Sequence, residues 1–423
     1  MGIVAIGDHA FAQSLSSEVG TLLVNHPRLG VGQKTVSAAQ EGERRSFGAF
    51  LPRITLDGDT GYERVDSPSR RRIEGEPSSM GRNSAALTVT QNVFDGFRRS
   101  SSYDGAKINT QVQEASLEAT RQALIFEGTA AYLDVLRNVQ LVDLARNNEN
   151  TIQRQLNLED ERVARGAGMA VDALLAKSRL QLAKERRVAF EGLQRDSSYR
   201  YLQVFGRQPT PDSMADPLAP INLVPGSLDE AVRIAMGTNP SINGSNRQID
   251  LAQTRRTTAG SDYFPRLDVV GRTGYEKNVD GVTGDRRDIS VLLRATWELF
   301  SGFSTRAAVA EAAFQYEAAK DNLQVTNRKV AEETRLAWNE LSVARERVQL
   351  LQNAVNIAGE VFDARDRLRA AGRDTAINVL DAENELYNAR INFVQAAYDA
   401  RKAIYRLTLA MGMLTPENID AQR

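Results

Sequence analysis

The feature that most constrains this chain is an internal repeat, in which a thirteen-residue segment returns with the same alternating pattern. LPRITLDGDTGYE, residues 51–63, is matched by FPRLDVVGRTGYE, residues 264–276, at an offset of 213 and with seven identical positions. Side chains alternate between two faces in both copies, which is typical of a β-strand with different surroundings on each face. We therefore expect one architecture built twice.

Composition removes several classes of function. The chain has 423 residues and a net charge of −1, so it offers no basic surface for nucleic acid. It has no Cys and two His, which removes thiol chemistry and nearly all zinc sites. No nucleophile, base and orienting group cluster in the sequence, so we predict no enzyme, no cofactor and no metal. A transmembrane helix is not predicted, because no apolar run reaches about 18 residues.

The N-terminus resembles an export signal. Ala10, Phe11 and Ala12 have the small-x-small form of a signal-peptidase site, so residues 1–12 are interpreted as the remnant of such a signal. A disordered N-terminus is the alternative.

Strands are predicted at about 50–63, 85–94, 263–276 and 291–300, each with one apolar and one polar face. Ten residues is the length of a tilted membrane strand. Aromatic side chains stand near both ends, as lipid-interface girdles would. They are Tyr62 and Tyr275 at one end, and Phe94, Phe97, Trp297, Phe300 and Phe303 at the other. A half-buried hairpin in a soluble sandwich explains these strands equally well.

Long helical hairpins are predicted over 98–205 and 304–411, because no proline occurs between residues 77 and 209 or between 265 and 416. Gly166 and Gly372 are expected to supply the left-handed residue at each turn. Asp172 and Asn378 are expected to cap the returning helices. The layout is a first repeat at 13–213, a proline-rich linker at 214–226, a second repeat at 227–416 and a tail at 417–423.

Four membrane strands cannot close a barrel by themselves, and open sheet edges are not tolerated in lipid. The chain must then oligomerise, with eight strands from a dimer or twelve from a trimer. Polar side chains on the inner faces favour the wider, water-filled bore of a trimer. They are Thr88, Thr90, Asn92, Arg294 and Glu298. A soluble coiled-coil scaffold with small β-hairpin elements is the alternative.

Four features together carry a resemblance to a known family. They are the repeat, the strand starts at Pro52 and Pro265, the FDGF and FSGF turns at 94–97 and 300–303, and the tips GAGMAVDALLA and GRDTAINVLDAENELYNA. Over nearly its whole length the chain resembles the TolC family of outer-membrane channel proteins. The resemblance implies a mainly α homotrimer, with a 12-stranded β-barrel in the outer membrane of a Gram-negative bacterium and an α-barrel of long hairpins through the periplasm.

The resemblance also implies a function and partners. The protein would be the outer-membrane exit duct of a tripartite system for type I protein secretion or multidrug efflux. A periplasmic adaptor and an inner-membrane ABC or proton-driven pump would dock on the helical tips and open it.

Individual tip residues acquire expected roles from the same resemblance. Asp381 matches an acidic position that faces the pore aperture, and Asn378 stands where a second acidic residue is usual, which predicts a weaker carboxylate ring. Asp172 matches a residue that helps to hold the tip shut, but its usual basic and aromatic partners fall on Asp374 and Arg369. An Asp172–Arg369 pair is the substitute hypothesis. Solvated tip charges are the alternative, because exposed pairs contribute only about 0–1 kcal/mol.

Adaptor docking is expected at the apices of the two tips, where small residues let backbones approach. These residues are Gly166, Ala167, Gly168, Met169, Gly372, Arg373 and Thr375. The alternative is that they serve the turns alone.

Overall fold

The computed structural model describes residues 14–419, apart from the side chains of residues 70, 73 and 74. The proposed export signal at residues 1–12 and the end of the tail lie outside this part. The helices are α1 (Leu15–Asn25), α2 (Pro27–Phe47), α3 (Pro68–Glu74), α4 (Arg98–Ala164), α5 (Ala170–Phe205), α6 (Leu228–Thr238), α7 (Pro240–Gly260), α8 (Ser304–Ala370) and α9 (Ala376–Ala410). The strands are β1 (Arg53–Val65), β2 (Ser78–Phe94), β3 (Arg266–Lys277) and β4 (Asp285–Thr296).

The strand bounds differ from the predicted ones where the hairpins are longer than the alternating patterns. β2 begins at Ser78 rather than at residue 85, because its first residues pair with the end of β1. β4 covers 285–296 rather than 291–300, because its first residues pair with the end of β3. Trp297, Glu298 and Phe300 therefore follow the strand instead of lying in it. The segment between β1 and β2 contains the short helix α3.

The strands form one antiparallel sheet in the order β1-β2-β3-β4. β2 and β3 belong to different repeats, so their pairing, with Val89 opposite Gly271, joins the two copies. Within residues 14–419, β1 and β4 are the edges of the sheet and have no further strand beside them. Their unpaired backbone groups are a template for adding strands from elsewhere.

The described chain divides into two compact units, and each contains parts of both repeats. One unit holds the sheet and consists of residues 34–114 and 244–324. The other holds both helical tips and consists of the described residues up to 33, residues 115–243 and those from 325 onward. Among the described residues, no helix has the length and apolar character needed to cross a membrane.

In the helical unit, the junction of α6 and α7 holds the end of α9. The last carbonyl groups of a helix have no partner within it. Here the amide of Asn239 donates to the Ala410 carbonyl at 3.0 Å, and the Thr238 hydroxyl donates to the Met411 carbonyl at 2.5 Å. α1 is anchored in the same unit, because the buried carboxylate of Glu18 accepts a 2.8 Å hydrogen bond from Tyr201.

The proposed linker is packed against helices rather than free. The Tyr132 hydroxyl of α4 donates to the Ala215 carbonyl at 2.6 Å, and Arg401 of α9 forms an ion pair with Asp216. At the start of the tail, Ile419 is buried. Both segments therefore contribute to the helical unit.

Candidate functional site

The two helical tips turn by the same hydrogen-bond pattern. After α4, the N–H groups of Gly166 and Ala167 donate back to the last helical turn at 3.0 and 2.9 Å. After α8, the N–H groups of Gly372 and Arg373 do the same at 3.0 and 2.8 Å. Gly166 and Gly372 have φ values of +72° and +73°, so each tip is a Schellman motif with the left-handed glycine that the sequence indicated.

Asp172 and Asn378 do not cap the returning helices, in contrast to the prediction. α5 and α9 begin two residues earlier, and the capping positions are Met169 and Thr375, both in extended conformation. The Thr375 hydroxyl accepts from the N–H of Asn378 at 3.4 Å, whereas Met169 makes no side-chain cap bond. A capping residue has a non-helical backbone conformation, whereas Asp172 and Asn378 lie inside their helices.

The residues expected to dock a partner lie at the apices and are mostly exposed to solvent. The exposed ones are Gly166, Ala167, Met169, Gly372, Arg373 and Thr375. Gly168 is half-buried, and a Cβ placed on it would lie 2.9 Å from the backbone nitrogen of Val163. The first tip is therefore tightly closed on its own helix.

Arg369 pairs with Glu159 of α4 and not with Asp172, so the substitute lock does not form within the chain. The guanidinium lies 2.5 Å from the Glu159 carboxylate, and the side chains are only 19% and 3% exposed. A second N–H of Arg369 donates to the Asp374 carbonyl at 3.1 Å. Asp172 is buried in the first turn of α5, where the positive end of the helix dipole favours a carboxylate.

Asp374 is a hydrogen-bond acceptor that organises the second tip. Its carboxylate accepts from the Asn378 amide at 2.5 Å, from Arg365 at 3.0 Å and from the Thr375 N–H at 2.8 Å. These donors, Asn378 first and then Arg365, lower the pKa of Asp374. Asn378 is thus engaged with the tip of its own chain.

Asp381, the residue expected at the pore aperture, forms an ion pair with Arg179 of α5. The carboxylate and guanidinium lie 2.7 Å apart, and the side chains are 55% and 32% exposed. Two turns away, Arg186 of α5 donates to the Asn384 amide oxygen at 3.1 Å. α5 and α9 are therefore joined by polar contacts along their exposed side.

A buried carboxyl group lies close to this contact. Glu383 on α9 is 6% exposed, and its Oε2 atom has no hydrogen-bond partner among residues 14–419. Burial is the largest cause that raises its pKa to about 7, with Arg154 of α4 opposing the shift and Asp366 of α8 adding to it. A carboxyl group that titrates near neutral pH therefore lies among α4, α8 and α9.

The sheet has one apolar and one polar face, and the strand register keeps them aligned across all four strands. On the apolar face, Ile54 lies opposite Val89, Val89 opposite Gly271, and Gly271 opposite Val291. The neighbouring row on the other face consists of Thr55, Thr88, Arg272 and Ser290. The apolar side chains are largely exposed, with Val291 at 76%, so none of residues 14–419 covers this face.

Aromatic side chains mark both ends of the apolar face. Tyr62 and Tyr275 lie toward the hairpin end, and from Tyr275 to Leu267 the face of β3 extends about 26 Å at 3.3 Å per residue. At the helix end, Phe97 and Phe303 both have φ of +67°, an uncommon conformation for a bulky residue. Phe94 and Phe300 meet them edge to face, and the Trp297 indole donates to the Tyr263 carbonyl at 3.2 Å.

Sequence reasoning missed Glu159, Arg179 and Glu383. Each lies on a long helix among many similar charged positions, and the partners of Glu159 and Arg179 are distant in sequence. The Arg369–Glu159 pair spans 210 residues and the Arg179–Asp381 pair spans 202. Only the packing of α4, α5, α8 and α9 brings the partners together.

A duplicated long helical hairpin and a sheet whose apolar face is uncovered by the described residues are the features expected of an outer-membrane channel protein. A family model described as outer membrane efflux protein matches residues 19–207 and 231–413. The chain belongs to this family. It lies in the outer membrane of a Gram-negative bacterium with a long periplasmic extension, and it is the outer-membrane channel component of an export system.

Two relatives and one solved structure illustrate the similarity. Outer membrane efflux protein BepC of Brucella suis is 23% identical over 426 residues, covering 100% of this chain and 90% of the relative. Alkaline protease secretion protein AprF of Pseudomonas aeruginosa is 24% identical over 429 residues, covering 99% and 88%. The outer-membrane channel OprN has the same fold, with a TM-score of 0.82, 20% identity and coverage of 94% and 89%.

Proposed function

We propose that three copies of the chain form one exit duct, in which twelve strands close a barrel and the long helices continue it into the periplasm. The observation that carries the proposal is the uncovered apolar face of a sheet with two free edges. Backbone groups exposed to lipid cost several kcal/mol each, so β1 and β4 need strands from other copies. Twelve strands leave more room than eight, and the polar row of Thr55, Thr88 and Arg272 suits water inside.

The duct is passive in this proposal. An inner-membrane ABC or proton-driven pump supplies the energy, and a periplasmic adaptor docks on the tips and opens them. The exposed apices around Gly166 and Gly372 support this role, because short turns of small residues let another helical tip approach closely.

Opening requires the tips to separate, and the buried Arg369–Glu159 pair is the contact that resists separation. Asp381 and Asn378 line the aperture, and Arg365 with Asp374 stiffens the tip next to it. Breaking a buried pair is strongly unfavourable, so the closed state is stable until docking supplies compensating contacts.

The cargo is a secreted protein or a small drug. AprF is named for alkaline protease secretion and BepC for efflux, and both match the chain over nearly its whole length. A soluble coiled-coil scaffold, the alternative function, is not supported, because it has no use for the apolar face and does not agree with the family match.

Cross-linking in cells tests the docking. Because the chain has no Cys, a single cysteine at Arg373 carries a unique cross-linker, and a cysteine at Ser79 in the β1–β2 hairpin is the control. The expected result is capture at Arg373 of a protein identified by mass spectrometry as a periplasmic adaptor or inner-membrane pump, with no such capture at Ser79. Equal capture at both positions, or none at Arg373, would contradict the proposal.

A further inference from the structure

The Arg179–Asp381 pair lies on an exposed side of the tip, where solvent reaches both groups. Asp381 is the residue that the proposed function places at the aperture, and its carboxylate is 55% exposed. The guanidinium of Arg179, 32% exposed, lies 2.7 Å from it on the neighbouring helix of the same chain. A negative charge at the aperture is therefore accompanied by a positive one.

Packing beneath the pair fixes its geometry. Leu180 and Leu380, the residues next to Arg179 and Asp381, belong to one buried cluster. The other members of that cluster are Ile152, Leu156, Ala176 and Ala183. Because α5 and α9 share this core with α4, their rotation is set by buried contacts, and the charged neighbours come together as a consequence.

Three other cations near the tip have partners other than Asp381. Arg365 pairs with Asp374, and Lys177, two residues before Arg179, pairs with Asp160 of α4 at 3.4 Å. Arg186 contacts the Asn384 amide oxygen and the ring of Tyr387. Within residues 14–419, Arg179 is the cation that the structure places in direct contact with Asp381.

We propose that Arg179 is a selectivity-determining residue of the channel, because it neutralises Asp381 within each subunit. The inference rests on the proposed function, since Asp381 lines an aperture only in the assembled duct. Three carboxylates and three guanidiniums then form a ring of pairs instead of a ring of negative charge. A ring of side-chain charges selects ions by its net field, and a ring of ion pairs has little net field. The aperture discriminates weakly between cations and anions.

The pair contributes little to folding, because an exposed ion pair gains little over its hydrated groups. Substitutions that remove its charges are therefore expected to leave the assembled protein intact. Arg179→Gln removes the positive charge, Asp381→Asn removes the negative charge, and the double variant removes both. Arg179→Lys keeps the positive charge.

The measurement is the reversal potential of the full-length channel in planar lipid bilayers under a KCl gradient. Arg179→Gln is expected to raise the cation-to-anion permeability ratio about threefold or more, since each subunit gains an uncompensated carboxylate. Asp381→Asn is expected to shift the ratio toward anions by a similar factor. The double variant and Arg179→Lys are expected to remain near the ratio of the unmodified protein.

Lys177→Gln is the matched control. It removes one positive charge two residues before Arg179, but Lys177 pairs with Asp160 of α4 and not with Asp381. This variant is therefore expected to shift the permeability ratio much less. If Asp381→Asn lowers cation permeability while Arg179→Gln changes nothing, the inference is overturned and the aperture assignment stands. If none of the variants changes the ratio or the conductance, the aperture assignment itself has failed.

Discussion

The guanidinium of Arg369 on α8 and the carboxylate of Glu159 on α4 lie 2.5 Å apart, with 19% and 3% of the two side chains exposed. The two helices belong to different repeats, so the contact ties the second hairpin to the first close to the tips. Removing one partner of a buried pair leaves an uncompensated charge, which costs about 3–5 kcal/mol. In the proposed duct, this pair therefore resists separation of the two tips.

Arg369→Ala is expected to raise the closed-state conductance in planar bilayers and to lower the thermal unfolding temperature, because Glu159 stays buried without its partner. The Arg369→Ala/Glu159→Ala double variant is expected to be less destabilised than the sum of the single variants. Arg165→Ala is the control, since its pair with Glu161 is 79% and 64% exposed. Unchanged conductance and unfolding in Arg369→Ala would remove the pair from the gate.

Glu383 is expected to make the protein less stable as pH rises toward neutral. Its pKa in the folded chain is about 7, above the ordinary value of 4.5, so the folded state binds more protons between these values. Stability from this group is complete below about pH 4.5 and is lost as pH rises through about 7, a difference on the order of 3 kcal/mol.

Glu383→Gln is expected to remove this pH dependence, so that the variant gains stability over the unmodified protein at pH 8 but not at pH 4.5. Thermal unfolding of the detergent-solubilised protein at both pH values measures the difference. Glu385→Gln, at an exposed position on the same helix, serves as the control. An equal effect of Glu383→Gln at both pH values would show that the carboxyl group does not titrate in this range.

The repeats offer a matched pair of glycines. Gly206 and Gly412 follow α5 and α9, and both have φ of +72°. A Cβ on Gly206 would meet nothing within 4 Å, whereas one on Gly412 would lie 2.6 Å from the Asn239 Cα atom. Gly206→Ala is expected to cost about 1–2 kcal/mol for the left-handed conformation alone. Gly412→Ala is expected to cost about 1–3 kcal/mol more in denaturant unfolding, and equal costs would contradict the packing at the α6–α7 junction.

Neighbouring residues of β4 test which face of the sheet meets lipid. Val291 lies on the apolar face and Ser290 on the polar one. Val291→Lys is expected to cost about 2–4 kcal/mol near the middle of the membrane and to reduce the assembled protein in outer-membrane fractions. Ser290→Lys is expected to assemble normally. The opposite order of effects would mean that the faces are assigned the wrong way round.

The sequence contained enough to predict the local elements and the repeat. Alternating side chains predict the strands around Tyr62 and Tyr275, and the absence of proline predicts the long helical hairpins. Turn chemistry predicts the turns at Gly166 and Gly372. These features depend on residues close together in the chain.

Contacts between helices could not be predicted in the same way. A residue such as Arg179 meets Asp381 only because the cluster containing Leu180 and Leu380 sets the rotation of α5 against α9. The expected Asp172–Arg369 pair does not form within the chain for the same reason, since Arg369 pairs with Glu159 of α4 instead. The strand ends at Ser78 and Thr296 also depended on pairing across hairpins.

The number of chains in one assembly tests the central claim most directly, because four strands with two free edges need other copies to close. Native mass spectrometry of the full-length protein, extracted from outer membranes in detergent, measures this number. The expected result is a single species with three times the mass of the chain. A species of one or two chains, with the sheet edges still unpaired or closed at eight strands, would contradict the trimeric duct.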